Sequence, residues 1–518
     1  MLENLNQEKA PFSIPGFPKS WTIGLQVIVL VIILSVIGAG SYFGYPYMNK
    51  VTKGSNADLR GGFNNFSGFA PGIWINNGLK ANKESRMYKD FGLLFEANVF
   101  DKMPVMYEAL KNGDIDFIFT TTDITPISMD RSSDLAKMSV AQFLKIDDSR
   151  GADLFIVDQK IKTIADLRGK TIACALGWPS NTLLHNTLEA GGLTEKDVII
   201  KPFDDPSLAK TAYTSGQVDA VVVWSPDDAE CLKVRASRIL TSTEYMPNII
   251  MDGFVARKEV LEKKHDAFVK LAKAWLTANS EMKIEANMTA AAQVFKVAFN
   301  VADPVAGIVD GMKKIHFATY GDNMNFFGLS TDFTGITGQQ LYTKMARVYK
   351  TGYGNKLGDI VPWAEASYPN IIQSITDMKG DANAPEGQIK FTSSPTDATA
   401  PALATKAIII TFEPGSALLS PDAKDKIDRE LGTLSNEFAG MKVRLEGNTD
   451  NTGSAKFDNK ALSYKRAKAV ADYLVKTYKF DPHRFTVVGN GPDKPVGDNS
   501  TEEGRTANRR TEFQLLGK

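Results

Sequence analysis

The chain has 518 residues, more than one folded domain usually holds, and its hydrophobic and charged fractions of 43% and 23% are typical of globular protein. Its 60 basic and 60 acidic side chains balance to a net charge of zero, which argues against a nucleic-acid partner. The 4 scattered histidines and the 2 cysteines, Cys174 and Cys231, exclude a zinc-finger pattern and a disulfide framework, and they leave open whether these two cysteines pair.

The N-terminal part predicts a membrane anchor. Residues 1–20 are polar and proline-containing, as is typical of a flexible tail. Residues 23–43 are apolar and uncharged, and at about 1.5 Å per residue they span roughly 31 Å, the thickness of a bilayer core. We therefore predict a cytoplasmic tail over 1–20, a transmembrane helix over 21–45 and a tether over 46–62. A signal peptide cleaved after Gly40 is the alternative interpretation.

Alternating short strands and helices begin at about residue 63 and predict an α/β fold with parallel strands. The first predicted elements are strands over 72–76, 93–99 and 116–120 and a helix over 103–112. The same rhythm repeats from about residue 154, and helical periodicity takes over from about 258. The pattern predicts two α/β lobes followed by helices.

Several short motifs in this region are characteristic of a known protein family. They are Asn77–Leu79, Tyr88–Leu93, Ala109–Asp116, Ile164–Lys170, Thr214–Ala220 and Trp224-Ser225-Pro226. Together they resemble periplasmic substrate-binding proteins, most closely the group that receives nitrate, sulfonates and thiamine precursors for ABC transporters. The resemblance implies a two-lobed periplasmic-binding-protein fold over residues 63–378 that closes around a small solute.

Polar and aromatic side chains follow the predicted strands at their carboxyl ends, where open α/β sheets bind ligands. The candidate solute-binding residues are Trp74, Asn76, Asn77, Thr121, Thr122, Asp123, Trp178, Ser180, Asn181, Thr182, Trp224 and Asp227. Hydroxyls and the amides of a helix N-terminus favour an anion, whereas the carboxylates and tryptophans favour a cation or an amine. The residues alone therefore leave the charge of the solute open.

A composition change separates this region from the C-terminus. Residues 379–404 are rich in Pro, Ala, Ser, Thr and Gly and are predicted to form a flexible linker. A strand over 406–411 then begins a last domain over 405–518.

The last domain contains the longest motif of the chain. Asp450 lies in a Gly/Asn/Thr turn after an apolar strand, and the helix that follows carries Asn459 and Arg466. A second basic segment near the C-terminus contains Arg509. A carboxylate facing a guanidinium is a receptor for a zwitterion, because the carboxylate accepts an ammonium and the planar Arg fork binds a carboxylate.

The combined pattern TD-x-x-G, N-x-x-L-S-x-x-R-A and G-R-x-x-N-R-R resembles the OmpA-like peptidoglycan-binding domain. The resemblance implies that Asp450, Asn459, Arg466 and Arg509 bind the diaminopimelate residue of cell-wall peptide. One extra residue separates the turn from the helix, so Asp458 competes with Asn459 for the equivalent place. The spacing of Asn-Lys-Ala-Leu-Ser favours Asn459.

The predicted fold class is thus α/β: a two-lobed periplasmic-binding-protein fold plus a C-terminal OmpA-like α/β domain, with one N-terminal transmembrane helix. The resemblances imply a single-pass protein of the bacterial inner membrane whose bulk lies in the periplasm. It would bind a small solute, for which an anion is one candidate, hold peptidoglycan, and feed or signal to a membrane permease or envelope complex. The alternative is a structural scaffold that links membrane to wall and uses the lobes for protein docking. Neither G-x-S-x-G, a P-loop nor a metal cluster is present, so we predict no enzyme and no cofactor.

Overall fold

The structure is a computed structural model that describes residues 56–100, 102–234, 236–352, 357–452 and 458–517. The predicted tail, the predicted transmembrane helix and most of the predicted tether lie outside these residues. Within the described ranges, no helix is long and apolar enough to cross a membrane.

Three sheets organise the described chain. The strands, numbered in chain order, are β1 (Leu59–Phe63), β2 (Phe95–Val99), β3 (Phe117–Thr121), β4 (Val140–Ser149), β5 (Asp153–Asp158), β6 (Thr171–Ala175), β7 (Ile199–Phe203), β8 (Ala220–Trp224), β9 (Ser237–Ser242), β10 (Met251–Arg257), β11 (Ile315–Phe317), β12 (Ala402–Ile408), β13 (Lys442–Asn448), β14 (Phe485–Gly491) and β15 (Thr511–Leu516). Lobe 1 holds a six-stranded sheet of order β11-β4-β10-β3-β1-β2, and lobe 2 holds a five-stranded sheet of order β7-β6-β8-β5-β9. The C-terminal domain has a four-stranded sheet of order β12-β15-β13-β14.

Helices cover the sheets and connect their strands. The α-helices are α1 (Ala70–Ile75), α2 (Arg86–Phe91), α3 (Met103–Lys111), α4 (Thr125–Ser128), α5 (Asp134–Lys137), α6 (Pro179–Ala190), α7 (Pro206–Thr214), α8 (Asp228–Cys231), α9 (Lys258–Lys263), α10 (His265–Glu281), α11 (Glu285–Phe299), α12 (Val305–Met312), α13 (Tyr320–Phe326), α14 (Gly338–Gly352), α15 (Trp363–Ala366), α16 (Asn370–Gln373), α17 (Pro421–Ile427), α18 (Thr433–Glu437), α19 (Asn459–Tyr478) and α20 (Glu502–Asn508). A π-helical turn over Asp428–Gly432 joins α17 to α18.

Two sequence-based predictions at the start of lobe 1 are wrong. The predicted strand over 72–76 is helix α1, which Pro71 opens at its first turn, where a fixed φ and a missing N–H are tolerated. The predicted tether ends earlier than residue 62, because residues 59–62 belong to β1. Gly61 and Gly62 look like linker residues, but a Cβ at either position would lie 2.6–2.7 Å from a core side chain of lobe 1. The two glycines therefore serve packing.

The predicted flexible linker is held by its neighbours on both sides. Thr319 donates to the carbonyl of Ala384 over 2.7 Å, and Asp397 pairs with Lys442 of β13 over 2.8 Å. Strand β12 begins at Ala402, inside the predicted linker. Composition predicts a coil here, but the partners of these backbone and side-chain groups lie in the adjoining domains and cannot be read from the segment itself.

The hydrophobic cores show how the units are joined. Lobe 1 packs around an aromatic centre in which Phe63 stacks on Trp275 at 5.9 Å. The second core is shared: side chains of lobe 2 and of the C-terminal domain belong to one contiguous buried cluster. The chain crosses between the lobes twice, from β4 to β5 and from β9 to β10. Cys174 and Cys231 are both buried and unpaired in lobe 2.

Candidate functional site

The C-terminal site, meaning Asp450, Asn459, Arg466 and Arg509, is placed by a close helix–strand contact. Helix α19 packs on β13 and β14, and two glycines permit the approach. A Cβ on Gly447 would lie 2.1 Å from the carbonyl oxygen of Ser463, and one on Gly489 would lie 2.5 Å from that of Lys460. The carboxyl end of β13 and the first turns of α19 are thereby brought together, as the motif spacing predicts.

Asp450 accepts hydrogen bonds on both carboxylate oxygens. The backbone N–H and hydroxyl of Thr452 donate to Oδ1 over 2.9 and 2.7 Å, and Arg509 Nη1 donates to Oδ2 over 2.6 Å. Burial opposes the charge, but these donors hold the pKa of Asp450 below its usual value. The site therefore presents an ionised carboxylate at neutral pH.

Arg509 is shared between two carboxylates. Its Nη2 donates to Glu502 over 2.6 Å and to the hydroxyl of Thr506 over 2.8 Å. The hydrogen bonds from Arg509 and Arg505 lower the pKa of Glu502 to about 2. Sequence reasoning missed Glu502, although its place seven residues before an arginine at the start of α20 is the kind of helix-terminal carboxylate that could have been noted.

Arg466 is held by backbone carbonyls. Its Nε donates to the carbonyl of Ser416 over 3.0 Å, and its guanidinium carbon lies 4.9 Å from the ring centroid of Phe412. Burial lowers the pKa of Arg466, while the charge of Asp450 raises it and that of Arg509 lowers it. These mutual electrostatic effects place the three charged groups in one neighbourhood.

The structure gives different positions to the two competing residues at the start of α19. Asp458 is the N-cap, and its Oδ1 accepts from the backbone N–H groups of Lys460 and Ala461. Asn459 is the first helical residue and is half-buried. A further residue, Thr449, has a buried hydroxyl with no hydrogen-bond partner among the described residues, directly before Asp450. In the sequence, the position of Thr449 in the TD motif is the only feature that points to this residue.

The predicted solute-binding residues divide into two groups, and the first lies away from the others. Asn76 is buried and donates to backbone carbonyls of Gly78 and Phe95, so its amide shapes the turn after α1. Phe95 begins β2, at the end of the parallel strands opposite to their carboxyl ends. Asn77 is an exposed turn residue with φ of 56°, and Trp74 packs under Arg86. The structure does not bring these three to the remaining candidates.

The second group meets where the lobes touch. In lobe 1, Thr121 ends β3 and Thr122 and Asp123 follow it directly. In lobe 2, the first turn of α6 contains Ser180, Asn181 and Thr182. All six are buried, and Thr182 Oγ1 donates to Asp123 Oδ2 over 2.6 Å. Burial raises the pKa of Asp123 to about 7. We call this contact region between the lobes the inter-lobe site.

Two tryptophans lie at the ends of neighbouring strands of lobe 2. Trp178 follows β6 and Trp224 ends β8, and their ring centroids are 5.8 Å apart. Trp224 lies opposite Asp153 on the paired strand β5. Asp227 is bound by Lys210 over 2.9 Å, so its charge is already compensated.

Sequence reasoning missed a set of carboxylates at the inter-lobe site. Thr121 of β3, Asp252 of β10 and Asp147 of β4 lie side by side in register across three adjacent strands. Residues directly opposite in a sheet point to the same face, and a Cβ on Gly68 would lie 2.5 Å from Asp147 Oδ2. Burial raises the pKa of Asp147 to about 7, and burial together with the charge of Asp147 raises the pKa of Asp252. In the sequence, the pair Asp147-Asp148 and the single Asp252 border apolar runs, and this was the only signal.

The crossover between the lobes adds a fourth carboxylate. Ser149 donates to Asp153 Oδ2 over 2.6 Å, and the hydroxyl of Thr243 lies 2.7 Å from that of Ser149. Both crossover segments therefore meet at one hydroxyl–carboxylate cluster, where β4 passes into β5. Burial raises the pKa of Asp153 to about 6.

Two family matches cover different parts of the chain. Residues 88–287 match the NMT1/THI5 like family, and residues 411–509 match the OmpA family. These two matches indicate no enzyme family.

Individual relatives follow the same division. Outer membrane protein Omp38 of Acinetobacter baumannii is 36% identical over 108 residues, which make up 21% of this chain and 30% of that protein. A protein of Brucella abortus named as a binding protein is 25% identical over 228 residues, covering 42% of this chain and 68% of that protein. The chain thus spans less than a third of Omp38.

Among solved structures, the periplasmic aliphatic sulphonate binding protein SsuA of Escherichia coli aligns with 61% of this chain and 99% of its own, at 19% identity and a TM-score of 0.45. A MotB-like protein of Desulfovibrio vulgaris aligns with 22% of this chain at 31% identity and a TM-score of 0.20. By the two family matches, the chain combines an NMT1/THI5-like substrate-binding domain with an OmpA domain at its C-terminus.

Proposed function

We propose that this protein is a solute-binding protein fixed in the bacterial envelope, with its OmpA domain bound to the diaminopimelate of peptidoglycan. The observation that carries the proposal is the C-terminal site. An ionised carboxylate, Asp450, and a half-buried guanidinium, Arg466, share one neighbourhood with Arg509. Opposite charges held in one small site are what a zwitterionic amino-acid centre requires.

The chemistry of recognition follows from the donors and acceptors. The ammonium of diaminopimelate would replace or join Arg509 at Asp450, and its carboxylate would take free N–H groups of Arg466. The contacts of Arg466 with Ser416 and Phe412 fix the plane of the guanidinium before ligand arrives. A preorganised fork loses less conformational entropy on binding than a free arginine does.

The test is sedimentation of the full chain with purified peptidoglycan of two kinds. We expect binding to peptidoglycan that contains diaminopimelate and little binding to peptidoglycan that has lysine in its place, because lysine lacks the second carboxylate. Asp450→Ala and Arg466→Ala should each abolish sedimentation, while Lys465→Ala, on the exposed side of the same helix, should not. Retained binding in both of the first two variants would refute the assignment.

The solute-binding part of the proposal has its own support and test. The support is that two crossovers join the two lobes and that the lobes touch through the hydrogen bond from Thr182 to Asp123, an arrangement that suits hinged closure around a ligand. A ligand present at about 100 times its dissociation constant stabilises the folded state by roughly 2.7 kcal/mol. Thermal shifts of the full chain should therefore reveal a ligand in a library of anions, amines, amino acids, sulfonates and pyrimidines, and a flat response across it would sink this part.

Anchoring in the inner membrane through residues 21–45 completes the proposal. The N-terminus would then lie in the cytoplasm, and the lobes would feed or signal to a membrane partner. Membrane fractionation decides this point. We expect the full chain to stay with membranes after alkaline extraction and a chain lacking residues 1–45 to be released. Equal release of both would remove the anchor.

A further inference from the structure

The inter-lobe site is dominated by buried carboxylates. Asp123, Asp147 and Asp252 of lobe 1 and Asp153 of lobe 2 are each at most 8% exposed. They influence one another electrostatically, since the charges of Asp147, Asp123 and Asp153 all act to raise the pKa of Asp252. Four acidic groups are thus gathered where a ligand between the lobes would lie.

The sheet of lobe 1 fixes the positions of Asp147 and Asp252. Asp252 of β10 stands between Thr121 of β3 and Asp147 of β4 in the strand register. The neighbouring pair Phe119 and Phe254, two positions further along β3 and β10, belongs to the same sheet face. The carboxylates therefore lie on the same sheet face as these aromatic side chains, at the end of the sheet that faces lobe 2.

Several acceptors at this place lack a partner. Asp123 Oδ1, Thr121 Oγ1 and Ser180 Oγ are buried without a hydrogen-bond partner among the described residues, whereas Asp147 and Asp252 are hydrogen-bonded to each other through a proton on one of the two carboxyls. A buried acceptor without a donor costs roughly 1–3 kcal/mol. An unsatisfied set on both sides of the lobe contact indicates that a donor-rich group belongs there.

The neighbouring cations are bound to other carboxylates. Lys145 pairs with Asp148 over 2.7 Å, and Lys314 pairs with Asp228 over 3.0 Å. Throughout the described ranges, none of the four inter-lobe carboxylates has a lysine or arginine within 4.0 Å. Whichever of these carboxylates is ionised would repel an anionic solute and attract a cation, and the same ranges contain no group of three ligands that could hold a metal ion.

We propose that the solute of the inter-lobe site is a small organic cation, a protonated amine, whose ammonium donates to Asp123 and to the Asp147–Asp252 pair. An ammonium offers three donors in a compact group, which suits several unpartnered acceptors at once. The rings of Trp178 and Trp224 at the strand ends supply a surface for the cation or its apolar part. This inference rests on the proposed solute-binding function and names the class of its ligand.

The experiment uses three probes of one shape with the full chain: butylamine, butanol and butanesulfonate, followed by putrescine and tetramethylammonium. Isothermal titration and thermal shift should show binding of an amine and none of butanesulfonate. Asp123→Asn and Asp147→Asn keep the side-chain shape and remove the charge, and each should weaken amine binding at least tenfold. Asp134→Asn, an exposed carboxylate of the same lobe, is the matched control and should bind as the unchanged protein does.

A folding defect in an Asp→Asn variant would be separated by Ser180→Ala. This change deletes an unpartnered hydroxyl, so the fold should be kept while amine binding weakens. Binding of a sulfonate or nitrate without any amine would overturn the inference and leave the solute-binding function standing. Absence of any ligand from the whole library would overturn that function as well.

Discussion

Arg466→Lys is the sharpest test of how the C-terminal site works, because it keeps the charge and changes only its shape. In the structure the guanidinium donates to two backbone carbonyls, of Ser416 over 3.0 Å and of Glu413 over 3.4 Å, and it lies over the ring of Phe412. A lysine ammonium reaches one such group at a time and cannot also present two parallel donors to a carboxylate.

Arg466→Lys should weaken the binding of peptidoglycan. One hydrogen bond to a charged group contributes roughly 1.5–3 kcal/mol. Losing one such bond to the ligand carboxylate gives about 2–3 kcal/mol, or about 30- to 150-fold in the dissociation constant. Because Arg466 is half-buried, solvent screens its interaction with the ligand carboxylate only in part.

The assay is a sedimentation isotherm with peptidoglycan that contains diaminopimelate. Lys465→Ala, which removes a neighbouring exposed charge, should bind within threefold of the unchanged protein. Thermal unfolding should show that both variants fold. If Arg466→Lys also binds within threefold, charge alone is sufficient and the bidentate mode is refuted.

Three further expectations follow from burial and close packing. The pKa of Asp123 in the folded protein, about 7, lies above its unfolded value, so the folded state holds more protons. The stability of the unliganded protein should therefore fall as pH rises from 5 to 8. Thermal unfolding of Asp123→Asn should show a smaller fall, and an equal fall would contradict the raised pKa of Asp123. Lys344→Ala should destabilise the protein by about 2–3 kcal/mol in urea, because it leaves Glu437 of the C-terminal domain buried without its partner; replacing both residues by methionine should recover most of the loss. Gly447→Ala should cost about 1–3 kcal/mol through overpacking against a helix carbonyl, whereas Gly387→Ala, with open space around it, should change the urea midpoint little.

The C-terminal site could be located from sequence because its parts are local. Asp450, Asn459 and Arg466 lie within two consecutive elements, and the spacing of a strand, a turn and a helix fixes their approach. The partner Glu502 was not predicted, since its contact with Arg509 depends on the start of α20 and not on the motif. Whether these residues hold diaminopimelate stays a prediction.

The inter-lobe site could be predicted only in half. The ends of β3 and β6 follow the α/β rhythm, so Asp123 and Thr182 were found. Asp147 and Asp252 lie on β4 and β10, which pair across more than a hundred residues of chain. No local pattern reveals such a pairing, and the charge of the site could not be judged without it. The two additional carboxylates favour the proposed cationic solute over an anionic one.

The same long-range packing explains how both sites can work in one body. Residues 436–440, just before β13, contact the lobes: the backbone N–H of Gly440 donates to Tyr245 over 3.1 Å, in the crossover between β9 and β10. The C-terminal end of α19 returns to the same side, where the hydroxyl of Thr334 donates to the carbonyl of Tyr478 over 2.8 Å.

Asp450 lies at the opposite end of these two elements. Seven residues of β13 extend about 23 Å at roughly 3.3 Å each, and the 20 residues of α19 extend about 30 Å at roughly 1.5 Å each. A peptide bound at Asp450 therefore lies at the far end of β13 and α19 from the Gly440 and Tyr478 contacts, while β12 contacts lobe 2 along the edge of the same sheet. Asp450 takes no part in the Gly440 and Tyr478 contacts. Because Tyr245 belongs to the crossover between β9 and β10, a movement of lobe 2 relative to lobe 1 would also displace or strain its contact with Gly440 of the C-terminal domain.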